Sequence, residues 1–268
     1  MAEPGGITPE AVRLFLTGEN PGMAEQRRRH LRYPSDPRCK LCAVPFGGIG
    51  GMIFPPRGYG RSANPSLCMK CVDSLRAFGV SGVEIPVSLV FSDVRGSTGL
   101  GERMRPAEFH AFLHHFYQLA TDAIVSHGGV VDKIVGDEVI GLFIGGIAGP
   151  AHTAAAVEAA LDLAERAAHP DATPSGAIPV GTGVHTGEAF VGATGPADAV
   201  DDFTALGDTV NTTARLASVA RAGEVIVSRA AAEVAARTGG GHETRSVEIR
   251  GRTEPIEVVV LRPASALT

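Results

Sequence analysis

Val130-Val131-Asp132-Lys133-Ile134-Val135-Gly136-Asp137-Glu138-Val139-Ile140-Gly141-Leu142-Phe143 is the stretch that decides the fold. Its two short apolar runs, Val130–Val135 and Glu138–Phe143, read as strands. Gly136-Asp137 between them reads as a two-residue hairpin turn. Upstream, Ile85 to Phe91 is a continuous apolar run of buried-strand type. A helix is predicted from about Pro106 to Ser126. Phe109, Phe112, Leu113, Phe116, Ala120 and Ile124 share one of its faces, and Gly128 can end it. Downstream come an Ala-rich helix (Ala151 to Ala168), a strand near Val180–His185, a turn at Thr186-Gly187 and a strand near Glu188–Gly192. A strand ending at Leu206, a helix from about Asp208 to Arg221, a strand at Glu224–Val227, a short helix and a terminal hairpin follow. Strand, helix, hairpin, helix, strand predicts an α+β fold: a ferredoxin-like βαββαβ core with additional C-terminal strands.

The chain has 268 residues, 44% of them hydrophobic and 20% charged. That excludes whole-chain disorder and a disulfide-stapled miniature fold. A net charge of −5 and the lack of tryptophan disfavour nucleic acid as a partner. Met1-Ala2-Glu3-Pro4-Gly5-Gly6 has no basic or apolar leader character. The longest apolar run, Val139 to Ala151, is well short of a bilayer span. The expectation is a cytoplasmic chain without a membrane partner. By composition it divides into an N-terminal helical segment (1–35), a four-cysteine module (36–75) and a main domain (86–262). In the first, Thr8 can cap a helix carrying Val12, Leu14, Phe15 and Leu16, and Asn20-Pro21-Gly22 breaks it. The basic cluster Arg27, Arg28, Arg29, His30 and Arg32 reads as a solvated helix face. Contact with a regulatory partner or an acidic surface is the alternative.

The cysteines fall as Cys39-x2-Cys42 and Cys68-x2-Cys71, with 25 residues between the pairs. Each pair can place two thiolates on one ion, and two pairs complete a tetrahedral four-sulfur site. Gly47-Gly48-Ile49-Gly50-Gly51 and Pro55-Pro56 offer little core, so an ion would supply much of the folding energy. The expectation is a small zinc-ribbon-like module holding structural Zn²⁺, with an iron–sulfur centre and a redox-switched thiol set as rivals.

Phe91-Ser92-Asp93-Val94-Arg95-Gly96-Ser97-Thr98 puts an aspartate at the end of a buried strand, before a small-residue turn. Backbone N–H groups in such a turn can hold phosphate oxygens. Asp137 lies 44 residues on, in the hairpin turn. Two aspartates on adjacent strand ends offer the hard oxygen ligands that Mg²⁺ or Mn²⁺ takes. Asn211 and Arg215, four apart on the predicted helix, share one face, beside an apolar stripe of Val210, Ala214 and Ala217. His110 and His114 have metal-pair spacing but are expected to face solvent.

These residues resemble the class III nucleotidyl cyclases. The resemblance rests on the Asp93 context, Lys133-Ile134-Val135-Gly136-Asp137, Gly183-Val184-His185-Thr186-Gly187 and Leu206-Gly207-Asp208-Thr209-Val210-Asn211-Thr212-Thr213-Ala214-Arg215. It implies an adenylate cyclase that converts ATP to cyclic AMP and pyrophosphate in sites shared by a head-to-tail homodimer. Asp93 and Asp137 match the ligands of two Mg²⁺ or Mn²⁺ ions. Lys133 matches the adenine reader, and Thr204 the second base-reading position of a bacterial-type subgroup. Asn211 matches the ribose-orienting residue and Arg215 the arginine on the reacting phosphate. Arg250 falls where a basic residue grips the terminal phosphates. Glu224 departs from the pattern, since some members carry a phosphate-binding arginine near it. A guanylate cyclase and a catalytically silent nucleotide-binding scaffold are the alternatives.

Overall fold

The structure, a computed structural model, describes residues 8–62, 67–77, 82–174, 176–194, 202–237, 241–249 and 254–263. In chain order the elements are α1 (Pro9–Thr17), α2 (Pro21–His30), α3 (Gly48–Ile53), a 3₁₀ turn (Pro55–Arg57), α4 (Met69–Ala77), β1 (Gly82–Val94), α5 (Ser97–Arg103), α6 (Pro106–Ser126), β2 (Val130–Val135), β3 (Glu138–Ile144), α7 (Gly145–Ala148), α8 (His152–Ala168), β4 (Val180–Thr194), β5 (Asp202–Leu206), α9 (Asp208–Val219), β6 (Val225–Ser228), α10 (Arg229–Val234), β7 (Glu243–Val247) and β8 (Ile256–Leu261). They form two compact units. One comprises Met1–Pro86, Ile144–Pro150 and Glu188–Leu206, the other Val87–Phe143, Ala151–Gly187 and Gly207–Thr268.

The second unit is built on a sheet ordered β2-β3-β1-β4-β6-β8-β7. Its first four places are those of a ferredoxin-like βαββαβ core. β6 joins parallel to β4, and β8 and β7 extend the sheet antiparallel. The apolar periodicity of α6 buries Phe112, Phe116, Ala120 and Ile124. Gly128, at φ +87°, ends the helix, and the Gly129 N–H donates to the Ile124 carbonyl at 2.8 Å. Burying a Phe or Ile side chain of this kind contributes roughly 1.5–3 kcal/mol, so Phe116, Ile124, Leu142 and Phe143, all within 1% of full burial, carry much of this core.

Two expectations about β4 and α9 are corrected. Thr186-Gly187 is not a turn, because β4 runs unbroken from Val180 to Thr194. The Thr186 hydroxyl donates to the Val87 carbonyl at 2.9 Å while the backbone stays extended. Gly187 serves a close approach, since a Cβ there would stand 2.8 Å from the Thr209 hydroxyl. The stripe Val210, Ala214 and Ala217 is also not the whole buried face of α9. Thr209, Thr212, Thr213, Leu216 and Ala217 are buried, and Val210 and Ala214 only half so. α9 lies directly on the glycines of β4: a Cβ at Gly183 would stand 2.3 Å from the Ala217 nitrogen. So tight a seat takes small side chains. The Thr213 hydroxyl is satisfied by donating to the Thr209 carbonyl at 2.7 Å.

In the first unit the Thr8 side chain caps α1, and Asn20, which ends that helix region, caps α2 through the Met23 N–H at 3.0 Å. α1 packs on α7, where a Cβ on Gly145 or Gly146 would strike the Thr17 or Leu16 carbonyl. Strand β5 pairs antiparallel with the far end of β4, Phe190↔Leu206 to Thr194↔Asp202. The basic cluster of α2 is not a wholly solvated face. Arg27 donates to the Lys40 and Leu41 carbonyls, and His30 is buried with Nδ1 donating to the Cys42 carbonyl at 2.7 Å. Arg28, Arg29 and Arg32 are exposed, as predicted.

Candidate functional site

β1 ends where the β2–β3 hairpin turns, and the Val94 N–H donates to the Asp137 carbonyl at 3.2 Å. That bond holds the two aspartate-bearing segments together. Gly136 supplies the left-handed backbone of the turn at φ +60°, and its carbonyl accepts the Tyr117 hydroxyl from α6. Asp93 Oδ2 pairs with the Arg95 guanidinium, while Asp93 Oδ1 is buried with no hydrogen-bond partner among the described residues. Burial, then the facing Asp137 carboxyl, pushes Asp93 up to about 6, against the pull of Arg95. Burial also acts to raise Asp137, but the Ser97 hydroxyl and Asp93 outweigh it and hold that carboxyl below its usual range. Burial, then the Asp137 charge, raises Glu138. Carboxylates converging on a buried, unsatisfied oxygen fit a divalent cation, which would replace the missing partner and relieve the mutual repulsion.

Arg95 was not singled out from sequence. Its guanidinium also donates to the Ser218 carbonyl at 3.2 Å, and its N–H to the Pro179 carbonyl at 2.7 Å. One side chain thus ties Asp93 to the C-terminal end of α9. On that helix Asn211 and Arg215 are both exposed on one face, opposite the buried threonines. Lys133 is half-buried on β2, opposite Ile140, beside an irregularity in the pairing after Val131. The hairpin is only partly buried: β3 is covered, but Ile134 and Val135 are 45% and 58% exposed. Thr204 belongs to the other unit, buried on β5 opposite Gly192. Arg250 lies outside the described residues. His110 and His114 are exposed, their rings stacked 6.4 Å apart.

Glu224 has a structural explanation. Its buried carboxylate accepts from Arg245 at 2.7 and 2.8 Å, from Arg262 at 2.7 Å and from the Arg221 N–H at 3.1 Å. It organises arginines within the sheet extension.

The four cysteines are buried, with all four sulfurs within 4.8 Å of one another. Cys42 and Cys68 Sγ are 3.6 Å apart, close to the roughly 3.8 Å between ligands of one tetrahedral ion with 2.3 Å metal–sulfur bonds. The first pair sits in a tight knuckle closed by the Arg38↔Pro45 bridge, with Ala43 at φ +58°. The second pair straddles the start of α4. Arg38 donates to the His30 and Ala43 carbonyls at 3.1 Å and to that of Tyr33, so the knuckle's carbonyls are satisfied by cations. These residues could hold one metal ion.

A family model described as the adenylate and guanylate cyclase catalytic domain matches residues 83–262. The adenylate cyclase of Anabaena cylindrica is 31% identical over 156 residues, covering 55% of this chain and 31% of that protein. The chain spans about a third or less of the length of the first curated relatives it matches. Among solved structures, the guanylyl cyclase Cya2 is similar with a TM-score of 0.60 and 26% identity, over 67% of this chain and 92% of that one. The adenylyl cyclase CyaB from P. aeruginosa shares the fold with a TM-score of 0.60 at 24% identity, over 68% of this chain and 96% of that one. Among the described residues no helix is long and apolar enough to cross a membrane.

Proposed function

The chain belongs to the class III adenylate and guanylate cyclase family, and we propose that its reaction is the conversion of ATP to 3′,5′-cyclic AMP and pyrophosphate. The observation that carries this reading is the buried, unpartnered Asp93 oxygen beside Asp137. Asp93 and Asp137 would hold two Mg²⁺ or Mn²⁺ ions. When bound, such ions lower the pKa of the ribose 3′-hydroxyl and neutralise phosphate charge. Arg215 meets the charge that develops on the α-phosphate as the hydroxyl attacks in line and pyrophosphate leaves. Asn211 orients the ribose. Lys133 and Thr204 read the adenine, and Arg250 grips the terminal phosphates.

Two copies of the chain share each site. Lys133 lies on β2 and Asp137 in the turn that follows it, at most roughly 13 Å apart along four positions of chain, so they can serve different sites of one dimer. Residues 86–262 carry the reaction, 36–75 hold the cysteine-bound ion and 1–35 lead into them. The ion is Zn²⁺: a 4.8 Å spread of sulfurs favours one ion over a multi-iron cluster, whose thiolates attach to different irons. The cytoplasm supplies the ATP. Guanylate cyclisation is the second reading, favoured by the likeness to Cya2. Metal-dependent turnover tests the site. It is expected to vanish in Asp93→Ala with the fold retained, and normal turnover in that variant would overturn the assignment.

A further inference from the structure

Charge is segregated along this chain. Residues 21–77 hold ten Lys and Arg against three Asp and Glu, a balance of +7, while the whole chain is −5, which leaves −12 for the remainder. A basic segment in an acidic chain points to an anionic surface as partner. Arg27 and Arg38 are spent on knuckle carbonyls, and Arg29 pairs with Glu25 at 2.5 Å. Arg28, Arg32, Arg57, Arg61 and Lys70 stand exposed. Large apolar side chains stand exposed in the same segment: Ile49 at 72% and Met52 at 70% on α3, and Met69 at 50%. Arg57 donates to the Ile53 carbonyl of α3 at 2.5 Å, Arg61 lies 5.1 Å over the Phe46 ring just before that helix, and an aromatic cluster links the end of α3 to Lys70. Phe54, which ends α3, packs edge-on against Tyr33 at 5.2 Å and Tyr59 at 6.0 Å, and Lys70 lies 4.7 Å over the Tyr59 ring. Exposed aliphatic side chains beside cations are what a lipid headgroup layer accepts. Nucleic acid recognition instead uses stacking aromatics and hydrogen-bond donors, which Ile49 and Met52 do not offer.

We propose that residues 21–62 and 67–74 form a peripheral docking surface for an anionic lipid bilayer. Ile49 and Met52 enter the boundary between headgroups and acyl chains, while Arg57, Arg61 and Lys70 meet the anionic headgroups. This contact lies on the bilayer and needs no spanning helix. It revises the expectation of no membrane partner, and it is independent of which nucleotide the chain uses.

The full metal-loaded chain is sedimented with vesicles of phosphatidylcholine alone and of equal parts phosphatidylcholine and phosphatidylserine. Partition onto the anionic vesicles is expected to be about tenfold stronger and to weaken as salt rises. Ile49→Glu with Met52→Glu is expected to cut it about tenfold, with metal content and thermal midpoint unchanged. Arg57→Gln with Arg61→Gln, which adds no charge to α3, is expected to reduce the preference for phosphatidylserine. Equal binding to both vesicles, no binding, binding untouched by these variants, or retention on RNA in place of vesicles would overturn the proposal.

Discussion

The cysteine module and the strand ends of the catalytic sheet use polar groups in opposite ways. Around Cys39, Cys42, Cys68 and Cys71 the chain turns its cations inward onto carbonyls, and His30, Arg27 and Arg38 leave the knuckle satisfied. At Asp93 and Asp137 a buried carboxylate oxygen has no partner among the described residues. The sheet beneath is held by apolar burial that needs no ion. On the function proposed above, a metal ion would hold the fold in one region and serve the reaction in the other.

Removing the cysteine-bound ion should break this contrast most. With a strong chelator under reducing conditions, amide protons of residues 21–77 should lose protection while β1, β3 and β4 keep theirs. Apparent binding energies of about 10–16 kcal/mol for such ions are largely folding energy. Protection that survives ion removal would show that the module holds itself. Next in size, Arg215→Ala should lower kcat by roughly 10²–10³ with little change in melting, because the side chain is exposed. Mixed with Asp93→Ala protein it should recover part of the activity, since one hybrid site keeps both intact halves. Recovery that fails despite demonstrated subunit exchange would argue against shared sites.

A smaller effect concerns stability. Hydrogen bonds from Arg245, with those of Arg221 and Arg262, hold the Glu224 carboxyl at about 2, against burial. Its folded value is depressed, so its stabilisation is present above about pH 4.5 and is lost as pH falls toward 2. Glu224→Gln should cost about 2 kcal/mol at neutral pH, discounted for the partly exposed arginines, and almost nothing at pH 2. Denaturant midpoints across that range check it, and a cost that does not vary with pH would contradict it. Smallest is Tyr117→Phe, which frees the Gly136 carbonyl beside Asp137. About 1 kcal/mol of lost positioning should raise the metal requirement roughly fivefold while kcat at saturating metal holds. A metal titration that matches the parent would show that the hydroxyl does not position the turn.

What was legible in the sequence is what local chemistry dictates. The phenylalanine face of α6 and the Gly136-Asp137 turn were readable because periodicity and a two-residue loop leave little choice. Gly187 was misread as a turn because a glycine demanded by a distant helix looks the same in sequence as one demanded by a bend. The buried face of α9 was missed because threonines, polar by type, satisfy their hydroxyls on their own helix. That Asp93 and Asp137 meet was legible from their strand-end contexts. Arg95 and Tyr117 were not, since their partners are set by tertiary approach across long separations of chain. Arg27 has the look of a solvent cation until the knuckle carbonyls it caps are seen. The charge segregation was hidden by the chain-wide −5, the sum of two regions of opposite charge.

ATP cyclisation with Lys133 reading the base stands or falls on the identity of the product. Purified chain is incubated with ATP or GTP, each with Mg²⁺ and separately with Mn²⁺, and cyclic nucleotides are resolved by mass. Cyclic AMP is expected well in excess of cyclic GMP. Predominant cyclic GMP would contradict the role given to Lys133, and no cyclic product from either nucleotide would contradict the reaction itself.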